Sequence, residues 1–399
     1  MPVRDVVILS AARTPIGRYG GSFKDLHPAE LGAVAARAAI ARAGIAASDV
    51  DEVLVGHGRQ AGSGPNPGRQ VGHRAGVPDR APAQTINKAC ASSLQAIVAA
   101  AQSIMLGESD VVLAGGIESM SRMPYLIDAI DARWGHRMGH FTMVDAMYRD
   151  GFQCPISTLI MGETAEILGR QHGVTREQSD AFALDSQRKA KAAIDAWHFA
   201  REVAPVTLAG PKGTVVDRDE HPRGDTTIES LRKLPPVFGD VEGRPGIITA
   251  GTSSGITDGG AALILASADT ARARGLKPRA RILGWASAGV DPRLMGIGPV
   301  PAVKKLLAKT GLTVEDFDLV ELNEAFAAQV LAVLKDLPIP MDKLNVNGGA
   351  IALGHPIGCT GTRIIVTLLY EMMRRKARRG LATLCVSGGM GMAMGIELC

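Results

Sequence analysis

The 399-residue chain has few aromatic residues (4%), only five cysteines and no run of apolar residues approaching 18 in length. Each scarcity excludes something. With 47 Gly, 15 Met and abundant Ala, the interior is expected to be small aliphatic side chains at close helix–sheet contacts. Five widely spread cysteines, without CxxC or Cys/His spacing, exclude a disulfide scaffold and give no zinc signature. The missing long apolar run argues against a membrane-spanning helix. Met1-Pro2-Val3-Arg4-Asp5 runs directly into the strand-like residues 6–9, without the charged and apolar regions of a secretory signal. A reducing cytoplasm is therefore the expected location. Charge of one sign is lacking too. Forty-four basic and 40 acidic residues leave +4, which suits an anionic small molecule but does not argue for nucleic acid. No GxGxxG opens a helix after the first strand, so a dinucleotide-binding oxidoreductase is excluded.

What is present is a repeat. Residues 85–101 read TINKACASSLQAIVAAA, followed by the strand-like 110–113 and Gly115-Gly116. Residues 352–369 read ALGHPIGCTGTRIIVTLL, followed by the strand-like 382–386 and Gly388-Gly389. Cys90 and Cys359 hold similar places, 25 and 29 residues ahead of the first Gly of the later pair. The chain reads as two duplicated halves. Short β-rich bursts at 6–9, 53–55, 111–113, 261–265, 319–322 and 384–386 alternate with helical stretches at 29–43 and 94–106, predicting an α/β fold with a mostly parallel sheet. Residues 121–250 break the pattern. They hold one clear helix at 176–197, opened by the capping box Thr175-Arg-Glu-Gln178, and end in a stretch with Pro at 205, 211, 222, 235, 236 and 245. The basic run at 374–379 reads as a solvated helix end before a turn at Gly380.

Four residues are candidates for the chemistry, each with a purely structural alternative. Cys90 opens a helix, where the dipole and free N–H groups favour a thiolate nucleophile; the alternative is a buried structural thiol. His355, held between Gly354 and Pro356, is suited to act as a general base. Cys385 ends a strand before Ser387-Gly388-Gly389, a turn whose amides could bind an oxyanion while the thiol moves a proton. Asn323, at a strand's C-terminal end, can hold a water or carbonyl, or simply cap a helix.

These segments resemble the thiolase family, the acetyl-CoA C-acyltransferases, along essentially the whole chain. The resemblance lies in Ser10-Ala-Ala-Arg-Thr-Pro-Ile-Gly17, Asn87-Lys-Ala-Cys90-Ala-Ser, Gly115-Gly-Ile-Glu-Ser-Met120, Asn323-Glu-Ala-Phe326, Gly354-His-Pro-Ile-Gly-Cys-Thr-Gly361 and Cys385-Val-Ser-Gly-Gly-Met-Gly391. It implies a five-layer αβαβα core of two similar halves plus an inserted loop domain. The divisions are residues 1–121 with 251–276, residues 122–250, and residues 277–399. It also implies that Cys90 carries the acyl group, His355 activates it and Cys385 moves the α-carbon proton. One oxyanion hole would comprise Asn323, through a water, and His355; the other would comprise the N–H groups of Cys90 and Ser387. The CoA side would map onto Arg223, Phe238, Ala250, Ser254, Ala325 and Phe326, with Met161 and Met295 lining the acyl and pantetheine pocket. CoA and acyl-CoA would be substrates of a ping-pong reaction, with no permanent cofactor, metal, nucleic-acid or membrane partner.

The chain departs from the family at Ser387 and Ser93, where Gly is usual, and at Ile160, where short-chain enzymes carry His. The last change makes the pocket more apolar and favours longer or bulkier acyl chains. Residues 133–145 resemble the tetramer-forming loop of the biosynthetic short-chain enzymes, which pulls the other way and leaves chain length open, and which implies a homotetramer, a dimer of dimers, or at least a homodimer. Two other readings remain open here: a ketosynthase-like condensing enzyme, and a non-catalytic acyl-CoA or lipid binder. Cys385 and Glu324 favour thiolase over the first, and the retention of Cys90, His355 and Cys385 speaks against the second.

Overall fold

The computed structural model describes residues 4–210, 213–241 and 243–399; Met1, Pro2, Val3 and Pro211 lie outside the described residues. Nine strands form the path of one large sheet: β1 (Val6–Arg13), β2 (Glu52–His57), β3 (Ala83–Ile86), β4 (Val111–Ser119), β5 (Thr257–Ser267), β6 (Ala280–Gly289), β7 (Leu319–Leu322), β8 (Arg379–Val386) and β9 (Met390–Leu398). Among the described residues the helices of eight or more residues are α1 (Pro28–Ala43), α2 (Pro67–Arg74), α3 (Ser92–Leu106), α4 (Met161–Gln171), α5 (Arg176–Asp195), α6 (Pro299–Thr310), α7 (Ala327–Asp336) and α8 (Ile357–Arg375).

The strand order is β7-β8-β9-β6-β1-β5-β4-β2-β3. β2 pairs parallel with β3 and β4, while β4–β5 and β5–β1 are antiparallel. The second half repeats this. A bridge at Leu344 and then β8 lie parallel to β7, while β8–β9 and β9–β6 are antiparallel. The halves meet through Val7–Arg281 and Ile8–Ala280. The duplication is thus visible in the topology, but the sheet is mixed, not mostly parallel. In the second half β8 runs into β9 through a tight turn, which leaves no crossover for parallel pairing, and β4–β5 in the first half keep the same antiparallel direction across their long connection. β9 (MGMAMGIEL) is absent from the bursts read above because it is almost free of β-branched residues.

Period-two alternation builds the layers. Val7, Leu9, Val53, Val55, Val111, Leu113 and Ile264 pack on α1 and α2. The alternate residues Ile8, Leu54, Val112, Leu263 and Leu265 join Leu384, Met392 and Met394 from the other half around α3 and α8. Val320, Leu322 and Leu381 face α6 and α7. The result is five layers, helix–sheet–helix–sheet–helix. The stretch Ala89–Leu106 is long and apolar enough by composition to cross a bilayer; here that apolarity is used in the central layer. Gly361 lets α8 touch α3, since a Cβ there would sit 2.4 Å from the backbone nitrogen of Leu94, too close for any side chain. Ser93 Oγ, where Gly was expected, accepts from Thr362 N at 2.8 Å and staples the same contact.

Residues 120–256 separate β4 from β5, whereas in the second half a tight turn at 387–389 does so between β8 and β9. This long connection holds α4 and a helix that stops at Asp195, with Trp197 left-handed, so the reading to 197 overshoots and α4 was missed. Cys359 lies inside α8 and is buried, whereas Cys90 precedes α3, so the two are not geometric equivalents. Gly380 is in β8 rather than a turn. Of the basic run before it, Arg374 and Arg375 pair with Glu371, and Arg378 and Arg379 with Glu397.

Candidate active site

Cys90 sits in the link between β3 and α3, and the link is tightly held. Ala89 is left-handed at φ 45°, a strained conformation worth about 1 kcal/mol for a non-glycine residue. Asn87 Oδ1 accepts from Ala89 N at 3.0 Å, and Asn87 Nδ2 donates to Gly58 O at 3.1 Å. Ser92 Oγ accepts from Lys88 N and donates to Ala89 O. Lys88 Nζ then reaches Ser287 Oγ on β6 at 2.8 Å, tying the nucleophile's link to the other half. The amides of Cys90 and Ser387 both point at the Cys90 sulfur. Burial pushes this thiol above its ordinary value, while the Arg59 guanidinium and the two amides pull it back. The resting group is a neutral thiol that needs a base.

His355 is the candidate base that the sequence offers. Its Nδ1 lies 2.6 Å from Thr360 Oγ1, whose hydroxyl donates to Pro356 O at 3.0 Å. That hydroxyl can therefore only accept from the ring, so Nδ1 carries the proton and Nε2 keeps its lone pair. Nε2 has no protein partner. Burial, with Arg363 and Arg59 nearby, depresses the ring's pKa to about 3, so the imidazole is neutral at physiological pH. Gly354, at φ 101°, holds the ring's loop against Thr257, where a Cβ would collide.

Cys385 is the penultimate residue of β8 and is buried; desolvation and the neighbouring Cys90 thiol both push it up. Met295, Ala325 and Cys385 form one apolar cluster joined by Met161 and Phe326, so five positions from four separate regions of sequence converge. Asn323 follows β7 with its N–H donating to Thr383 O at 3.0 Å. Its side chain is 1% exposed, and neither amide atom has a protein partner. Buried polar atoms normally have one, so this amide is kept for a water or a ligand oxygen. Ser253–Phe326 bridge pairing, Ser254 N to Ala325 O at 3.0 Å and His355 N to Gly255 O at 3.0 Å knit Ser254 between the Asn323 and His355 loops. At the turn after β8, the left-handed residues are Gly388 and Gly389, at φ 85° and 82°, and not Ser387. The hydroxymethyl group at 387 therefore costs no backbone strain.

On the expected CoA side, Phe238 is half-buried against Gly162 at the start of α4, with Ile160 as that helix's N-cap. Arg223 and Ala250 are exposed and belong to no cluster with Cys90; Arg223 is held through its N–H to Gln187 Oε1 at 2.9 Å. Four groups near the site escaped the reading. Glu118, wholly buried, accepts from Gly358 N at 2.8 Å and Arg59 N at 3.3 Å, and lies 3.0 Å from His57 Nε2, anchoring the first turn of α8. Its motif was visible, its role was not. Thr360, Arg59 and His57 gave no local signal. Glu324, which did, accepts from Ser186, Asn345 and Ile351 and holds the Asn323 loop.

Comparison with known proteins identifies the family. Residues 6–269 match the family model "Thiolase, N-terminal domain" and residues 276–398 match "Thiolase, C-terminal domain". The chain is 48% identical to an acetyl-CoA acetyltransferase of Syntrophomonas wolfei, over 99% of both proteins. It is 49% identical to one of Pseudomonas aeruginosa, over 98% of this chain and 99% of that protein. Among solved structures, the Bacillus anthracis acetyl-CoA acetyltransferase superposes with a TM-score of 0.96 at 45% identity, covering 100% of both chains. Human mitochondrial 3-ketoacyl-CoA thiolase in complex with CoA does so at 0.94 and 42%, covering 99% of this chain and 98% of that one. Matched from end to end in sequence and in fold, the chain belongs to the thiolase family.

Proposed function

We propose that this protein is an acyltransferase that moves an acyl group reversibly between a 3-ketoacyl-CoA and CoA, through an acyl-thioester on Cys90. The reading is supported by two coupled thiols, Cys90 and Cys385, and by a neutral imidazole, His355, whose free nitrogen has no protein partner and which shares the Arg59 guanidinium as a neighbour with Cys90. In thiolysis, His355 Nε2 takes the Cys90 proton and the sulfur attacks the 3-keto carbon. The keto oxygen's developing charge is met by the N–H groups of Cys90 and Ser387, and the thioester oxygen of the departing acetyl-CoA enolate by a water held on Asn323 and by the Nε2–H of the His355 imidazolium. Breaking the C2–C3 bond leaves its electron pair on C2, which takes the Cys385 proton, and acetyl-CoA departs. Incoming CoA gives its proton to the Cys385 thiolate and attacks the acyl-Cys90 carbonyl. The released Cys90 thiolate recovers its proton from the His355 imidazolium, and the cycle closes.

Arg223, Phe238, Ala250 and Ser254 are proposed to hold CoA, and Met161 and Met295 to line its thioester end. The test is thiolysis of acetoacetyl-CoA, together with peptide mass spectrometry after incubation with acetyl-CoA alone. One acetyl group on the Cys90 peptide supports the reading, and acetylation elsewhere with Cys90 unmodified overturns it. We further propose self-association through residues 127–143, where Trp134 is 80% and Met138 91% exposed. Isolated monomers wholly exposing such side chains are uncommon.

A further inference from the structure

We propose that the acyl side of this site accepts a 3-ketoacyl-CoA whose acyl chain ends in a carboxylate, an inference that rests on the thiolase reading above. The observation is Arg59, in the loop after β2. Its residue is 7% exposed, its Nη2 donates to Gly151 O at 2.7 Å, and its Nε has no partner. Among the described residues no carboxylate pairs with its side chain, and Glu118 close by is engaged with the Arg59 backbone, Gly358 and His57. A buried cation without a counter-charge is costly, and such a cost persists where an anion is expected to arrive. The resting site offers none, because Cys90 and Cys385 are both held as neutral thiols.

Arg59 lines a cavity of about 890 Å³ with Ala89, Ser387, Met123, Arg149 and Asp150. Ala89 precedes the nucleophile and Ser387 aims its amide at the nucleophile's sulfur, so the cavity adjoins the thioester carbon. Cys90 itself packs with Met120, Met123 and Phe152, an apolar patch that methylene groups can follow. Two arginines against one aspartate in the cavity wall leave a net positive charge. A plain alkyl chain filling that space would strip water from Arg59 and return nothing, whereas a carboxylate can accept from its fork. Cleavage of such a substrate yields acetyl-CoA and the shortened acyl-CoA, which keeps its free carboxylate.

The experiment compares kcat/KM for thiolysis of 3-ketoadipyl-CoA and 3-ketohexanoyl-CoA, equal in chain length and different only at the terminal carbon, with acetoacetyl-CoA as reference. The wild-type protein is expected to prefer the carboxylate by about tenfold or more, carried in KM. Arg59→Met is expected to remove that preference and Arg59→Lys to retain most of it. Taking the ratio of the matched pair cancels any effect of Arg59 on Cys90 itself. Arg149→Met, at an exposed position, should also reduce the ratio, in a variant whose folding does not depend on a buried side chain. A wild-type ratio at or below one, or a ratio untouched by Arg59→Met, overturns the inference while acetoacetyl-CoA cleavage leaves the thiolase reading standing. Failure to cleave acetoacetyl-CoA overturns both.

Discussion

In the proposed mechanism Thr360 takes a measurable share of the rate by orienting the His355 ring. Its hydroxyl is the acceptor for His355 Nδ1–H at 2.6 Å and is itself committed to Pro356 O. Thr360→Val keeps the shape and removes the acceptor. The ring must then bury an unmet donor, at about 1–3 kcal/mol, or shift to the Nε2–H tautomer or a rotated pose. Either escape removes the lone pair that receives the Cys90 proton. At about 1.4 kcal/mol per tenfold, the competent population falls by roughly ten- to a hundredfold. In steady-state thiolysis of acetoacetyl-CoA, kcat should drop by about that factor with KM changed by less than about threefold, because no binding contact is lost. Single-turnover acylation of Cys90 should slow equally, and Thr360→Ser, which restores the hydroxyl, should recover most of the rate. Wild-type kcat in Thr360→Val, or equal losses in the Val and Ser variants, would refute the assignment of the ring's proton to Nδ1.

Cys90→Ala should abolish transfer with circular dichroism unchanged, since the loss is chemical; full activity in that variant sinks the mechanism. Glu118→Gln weakens acceptance from Gly358 N–H and should lower unfolding free energy by about 1–3 kcal/mol in urea titration. Glu321, buried beside Arg363, has its carboxyl pushed up to about 8, so the folded state holds a proton that the unfolded state releases above about 4.5. Its stabilising contribution is present at low pH and is lost as pH rises through 8; Glu321→Gln should flatten the decline in stability between pH 6.5 and 8. His355 acts in the opposite sense: depressed to about 3 from 6.5, it contributes stability above pH 6.5 that is lost as pH falls toward 3. Trp134→Ser with Met138→Ser should lower the sedimentation coefficient if residues 127–143 join subunits, and an unchanged value would remove that proposal.

The local grammar of this chain was legible because its signals are short-ranged. The helix of α1, the four residues of β7 and the capping box at Thr175 each declare themselves within a few positions. The repeat around Cys90 and His355 pointed to duplication, and the topology of the two halves repeats accordingly. Pairing direction was less legible: β5 and β9 read as strands or as nothing, without a mark saying which neighbour they would lie against.

By itself, then, the amino-acid order determined where the reactive groups lie along the chain, which segments are buried and that the fold is doubled, because periodicity, glycine placement and motif spacing are properties of neighbouring residues. Only the tertiary structure decided that Thr360 turns the His355 ring, that Glu118 anchors the start of α8, and that Arg59 lies near Cys90 with no carboxylate on its side chain among the described residues. Those facts depend on burial and on contacts across as many as 240 positions, between Glu118 and Gly358. A proton's position or a charge's cost is set by what the folded chain places around it, and no local pattern records that.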